Sequence, residues 1–125
     1  MKDAQGPKVL HKIEFLLIHI MKSVRGYPKV ERYTLAERTE KTLLNGAENV
    51  FYASYNSTTR LERLREARTQ FQMVNFLLRI AKRQNFISEA FYAQTSEDLV
   101  EIGKMLTGWI KTVESPRRKA DGPGL

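Results

Sequence analysis

The sequence contains no cysteine. Disulfides and thiol chemistry are excluded, and nothing in the composition calls for an oxidising compartment. Only two histidines occur, His11 and His19, and neither has a glutamate three residues before it. The paired Glu-x-x-His motifs of di-iron helical bundles are therefore missing. His11 and Glu14 share a helical face, but two ligands are too few for a metal site. There is no glycine-rich loop of the phosphate-cradling kind. The most apolar stretch, Phe15 to Met21, is interrupted by His19 and is far shorter than a membrane span. Residues 1–7 have no following apolar run of the signal-peptide kind. These absences predict a soluble, cytoplasmic protein with no metal, no cofactor and no membrane partner. Its carboxylates fall on helix faces that read as solvent-exposed, so no acid–base site is expected and an enzyme is not predicted.

What is present is positive charge. The chain of 125 residues carries a formal net charge of +7, enough length for one domain with its own core. The charge is uneven. Residues 58–85 sum to +5, whereas residues 86–114 sum to −3. A concentrated basic surface favours polyanions, nucleic acid among them, and its bland alternative is a solvated face that keeps the protein soluble.

Apolar spacing predicts four helices and no strands. Val9, Ile13, Leu16, Leu17, Ile20 and Val24 recur at three- and four-residue steps, giving a first helix from Lys8 to about Arg25. Gly26 and Pro28 should stop it. Thr34 and Glu37 have capping-box spacing and should start a second helix that runs to about Ser57. Its inward face is Leu35, Thr39, Leu43, Gly46, Val50 and Ala53, small enough for a close neighbour. Thr59 and Glu62 repeat the capping-box spacing before a third helix, Arg60 to Gln84, with Leu61, Leu64, Ala67, Phe71, Val74, Leu78 and Ala81 inward. Asn85 suits the left-handed position after a helix end, and Ser88 can cap a fourth helix that ends near Glu114. Phe91, Thr95, Leu99, Ile102, Leu106, Trp109 and Val113 form its stripe. Gly103 and Gly108 lie inside it and are expected to be offset by a close packing contact. Ser115-Pro116 should end that helix. Short connections make neighbours antiparallel, so the expected fold is all-α, an up-down-up-down antiparallel four-helix bundle over residues 8–114. Residues 1–7 are expected to be flexible, and residues 115–125 to form a disordered basic tail.

Candidate contacts follow from charge and exposure. On the third helix Arg65, Arg68, Arg79, Lys82 and Arg83 share one arc beside the inward line. The dipole at a helix C-terminus accounts for the last three but not for Arg65 and Arg68. Lys29, Arg32 and Arg38 lie beside Tyr27 and Tyr33 at the first connection. Rings with neighbouring cations can stack bases and hold phosphates. These eight cations are the candidate nucleic-acid contacts. Phe15 and Ile18 fall off the first helix's stripe, and Leu44, Phe51 and Tyr55 make a second apolar line on the second helix. These five are candidate oligomer contacts.

Three motifs also carry a family resemblance: Tyr27-Pro28-Lys29 with Arg32-Tyr33-Thr34-Leu35 and Arg38, the run Phe76-Leu77-Leu78-Arg79-Ile80-Ala81-Lys82, and the run Glu101 to Lys111 around Gly103, Gly108 and Trp109. In this order they resemble the Avd (accessory variability determinant) proteins of diversity-generating retroelements, over about Leu16 to Val113. The same motifs resemble the related four-helix bundle proteins encoded in 23S ribosomal RNA intervening sequences. The resemblance implies a barrel-like homopentamer of four-helix protomers with a basic surface. It implies association with a reverse transcriptase and its template RNA or the DNA copy, in support of mutagenic reverse transcription and retrohoming, and no catalytic residues of its own. The alternatives are the ribosomal-intervening-sequence branch, and a protein-interaction module that does not touch nucleic acid.

Overall fold

A computed structural model describes the backbone over residues 6–120, with side chains there except at Pro7 and 116–120. The described residues form α1 (Gly6–Val24), α2 (Glu37–Tyr55), α3 (Arg60–Arg83) and α4 (Glu89–Ala120). No strand occurs among them. Each helix packs on its neighbours in sequence, and α4 closes the ring against α1. The result is the expected four-helix bundle.

The apolar stripes meet at its centre. Ile13, Leu16, Ile20, Leu43, Leu64, Phe71, Leu78, Ile102, Leu106 and Trp109 are all buried. Gly46 explains how α2 and α3 approach: a Cβ there would stand 3.0 Å from the Phe71 ring. The buried hydroxyls of Thr39, Ser54 and Thr95 donate to carbonyls one turn back, at Leu35, Val50 and Phe91, so the core holds no polar debt there.

Two helix ends follow the expected chemistry. Asn85 has φ 64°. Its amide donates to the Lys82 carbonyl and the Phe86 amide to the Ala81 carbonyl, which is a Schellman motif. Ser88 Oγ accepts from the Phe91 amide at 3.0 Å and caps α4.

Other ends differ from expectation. Neither capping box forms. A 3-10 turn at Lys29–Glu31 and a π turn at Arg32–Ala36 run directly into α2. The Glu37 amide is thereby taken by the Thr34 carbonyl, and the Thr34 hydroxyl donates to Glu31 at 2.9 Å instead. Glu37 turns to Lys41, 2.9 Å away. Thr59 Oγ1 is buried without a partner among the described residues. Its neighbour Arg60 does the terminal work, with Nε donating to the Ala53 carbonyl at the end of α2 at 2.6 Å.

The bundle's limits also move. α1 starts at Gly6, which is buried beside Ser54 and Trp109 where a Cβ would collide with Ser54. α4 passes through Pro116 to Ala120. A proline fixes φ at about −65°, within the helical range, so a helix can run through it at the cost of one ladder hydrogen bond and a local kink. Residues 1–5 and 121–125, the rest of the expected flexible segment and tail, lie outside the described residues.

Candidate nucleic-acid interface

The basic arc of α3 faces the seam with α4. Arg65 pairs with Glu114 at 2.9 Å, and Arg68 donates to Thr107 Oγ1 at 3.3 Å. Further along, Lys82 Nζ stands 3.6 Å from Glu89 and 5.2 Å from the centre of the Tyr92 ring. Arg79 lies 5.9 Å from the Phe76 ring centre. Its hydrogen bond to Tyr92 is the main reason that phenol is held below the ordinary tyrosine range. Arg83 is exposed beyond them. Four of the five expected α3 cations therefore lie along one seam, and carboxylates engage the two at its ends.

The middle of that seam is a hollow of about 440 Å³. Arg68 lines it from α3, and Lys104 and Lys111 line it from α4; among the described residues no carboxylate does. Neither Lys104 nor Lys111 is among the eight cations expected from charge and exposure to contact nucleic acid. Their spacing of seven residues, two helical turns, is the signal that places them on one face. Gly103 and Gly108 line the same hollow, and a Cβ on either would meet none of the described residues within 4 Å. The expected close contact at these glycines is therefore absent. They leave space open instead of admitting a neighbour.

The cations of the first connection do not form one cluster. Lys29, Arg32 and Arg38 are all exposed. Lys29 and Arg32 line a small cleft of about 200 Å³ with Arg25, Tyr27 and Glu40. Arg38 lines a different hollow, with Tyr33, Lys41, Glu31 and Glu37. Carboxylates border both, unlike the hollow at the α3–α4 seam. Tyr33 is free to stack, being 79% exposed. Tyr27 is not: its ring packs 5.5 Å from Phe86, and its hydroxyl is dry and without a partner among the described residues.

The five candidate oligomer residues divide as well. Leu44 and Phe51 line a hollow of about 590 Å³ between α1 and α2, beside Leu10, Leu17 and Ala47. Tyr55 extends it, its ring 5.0 Å from that of Phe51. Phe15 lies on the other side of α1, towards Phe91 and Asp98 of α4, with its ring 4.4 Å from His19. Ile18 is exposed and lines neither hollow. A helical wheel locates a residue on its own helix but not which neighbour lies alongside. Among the described residues no three His, Asp or Glu side chains are grouped to hold a metal ion. No described helix is long and apolar enough to cross a membrane.

Comparison with known proteins returns a family and a fold. A family model described as bAvd-like matches residues 9–113. A crystal structure of a protein of unknown function from the S23 ribosomal protein family of Bacteroides thetaiotaomicron VPI-5482 is similar, with a TM-score of 0.76. The likeness covers 86% of this chain and 98% of that one at 16% sequence identity, so it speaks for the fold alone. No curated protein matches.

Proposed function

The chain belongs to the bAvd-like family, and from that premise we propose that it is a non-enzymatic accessory protein that binds nucleic acid. Its partners are a retroelement reverse transcriptase and the template RNA or its DNA copy, in the cytoplasm, where it supports mutagenic reverse transcription and retrohoming. The observation that carries the reading is the α3–α4 seam, where Arg68, Lys104 and Lys111 border a hollow that no carboxylate among the described residues lines. Such a surface attracts phosphates and gains free energy as condensed counterions leave. Arg65, Arg79 and Lys82 extend the strip to about 25 Å, at 1.5 Å of helix rise per residue.

The protomers assemble into a homopentamer through the apolar α1–α2 face, where Leu44 and Phe51 stand 39% and 51% exposed. A ring of seams multiplies weak phosphate contacts by avidity.

Fluorescence anisotropy with a labelled structured RNA tests the reading. Affinity should fall steeply with salt, and Arg68→Glu with Arg79→Glu should weaken binding at least tenfold while helicity by circular dichroism is unchanged. Binding insensitive to both salt and charge reversal would overturn it. The ribosomal-intervening-sequence branch shares the fold, and gene neighbourhood separates the two. A reverse transcriptase gene beside near-identical repeats supports the retroelement reading; an rRNA insertion supports the other.

A further inference from the structure

We propose that the hollow between α3 and α4 seats an unpaired nucleotide of a single-stranded nucleic acid, and that Gly103 and Gly108 keep its floor open for the base. The inference rests on the nucleic-acid reading above and specifies the ligand.

Glycine inside a helix is destabilising relative to alanine. In α2 the reason for Gly46 is visible, because the Phe71 ring occupies the space a Cβ would take. In α4 the described residues give no such reason, since none of them lies within 4 Å of a Cβ built on Gly103 or Gly108. What the two glycines do is deepen the hollow that both line.

The lining has two kinds of chemistry. Arg68, Lys104 and Lys111 supply charge at the walls, while Phe71, Leu99 and Val100 supply apolar surface. Gln72 and Thr107 add groups that both donate and accept. A nucleotide matches this set, with an anionic phosphate, flat apolar faces on the base, and donors and acceptors on the base edge. An acidic peptide would use the cations, but its carboxylate side chains are acceptors only and offer no flat apolar face to Phe71, Leu99 and Val100. A duplex is excluded from the floor by shape. Its bases face inward, and packed helices have axes only about 8–10 Å apart, so a duplex meets the rims alone. The floor glycines should therefore matter for single strands and not for duplexes.

Gly103→Leu in the full chain tests this against pyrimidine oligonucleotides of about 12 nucleotides, ribo and deoxy, single-stranded and duplex. Single-strand affinity should fall about tenfold or more, the loss of one seated base. Duplex affinity, mass by light scattering and Tm should not fall. Gly103→Ala, the milder change, should move single-strand affinity in the same direction. Lys104→Glu with Lys111→Glu should weaken both forms. If that charge pair weakens binding but Gly103→Leu does not, the seat is wrong and the electrostatic reading stands. If neither changes binding, the nucleic-acid reading falls with it. A changed mass in Gly103→Leu would assign the glycines to a contact between copies and overturn the seat. Displacement of the oligonucleotide by polyglutamate as readily as by unlabelled oligonucleotide would assign the hollow to an acidic protein.

Discussion

The hollow between α1 and α2 and the hollow between α3 and α4 are cut into one bundle by the same geometry, yet their chemistry is opposite. The first has Leu10, Leu17, Leu44, Ala47 and Phe51 on its surface, with Glu14 and Glu48 at the rim. The second has, among the described residues, three cations and no carboxylate. The inward stripes of all four helices are alike in kind, so the core does not distinguish the two sides. The difference lies in residues that the core leaves unused. An exposed apolar surface lowers its free energy by being covered, and a cationic one by meeting an anion. The proposed function accordingly places assembly at the first and nucleic acid at the second.

The largest expected effect separates these assignments. Leu44→Asp with Phe51→Asp puts two carboxylates on the α1–α2 face and leaves every α3–α4 cation in place. Light scattering should then report the 14.5 kDa protomer. Nucleic-acid affinity should fall by about 10²-fold or more as avidity is lost, although no phosphate contact has been removed. A wild-type chain that is already monomeric, or a variant that keeps its mass, would break the assignment of this face to assembly.

A pair of glycine substitutions gives the next effect, with opposite signs on the two sides of Phe71. Gly46→Ala forces the Phe71 ring, 3.0 Å from the new Cβ and itself buried, to move within a filled core. Overpacking costs about 1–3 kcal/mol, and the gain of about 1 kcal/mol in helix propensity offsets only part of it. Tm should fall. Gly103→Ala meets no neighbour among the described residues, so it should gain up to about 1 kcal/mol and raise Tm. Thermal melts of the two variants beside wild type check the signs. A fall in Tm for Gly103→Ala would mean that something closes over that hollow in the assembled protein.

The same glycines mark where the sequence was legible. Spacing of apolar residues identifies all four helices and their buried faces, because burial imposes its period directly. Local capping at Asn85 and Ser88 is equally readable, because each needs only its own helix end. Glycine is ambiguous: it can admit a neighbour, as at Gly46, or leave a space, as at Gly103, and only the position of the adjacent helix decides. The Thr34–Glu37 spacing misleads for a related reason. A capping box needs a non-helical residue at Thr34, and the turns from Lys29 onward have already closed the backbone bonds. The basic arc of α3 is legible as charge, but its partners Lys104 and Lys111 come from another helix and need the fold to bring them in.

Tyr27 supplies the smallest effect and a control on the independence of the two faces. It lies at the end of the bundle, 7% exposed, in neither hollow. Burial pushes its phenol from 10.0 up to about 12. Below pH 10 the phenol is protonated in both folded and unfolded chains, so it contributes no pH dependence there. As pH rises past 10 the unfolded chain releases this proton first, while the folded chain holds it to about 12. Deprotonation then favours unfolding, and the stability that the neutral phenol contributes is lost across that window. Tyr27→Phe removes this group and also removes a buried hydroxyl without a partner among the described residues. At pH 7 its stability should equal that of wild type or exceed it by up to about 1 kcal/mol. Between pH 10 and 12 its melting temperature should decline less steeply than that of wild type. Its mass in light scattering and its affinity for RNA at neutral pH should not change. A loss of either would mean that packing at the bundle end sets the geometry of both hollows, and the two faces could no longer be treated as separate devices.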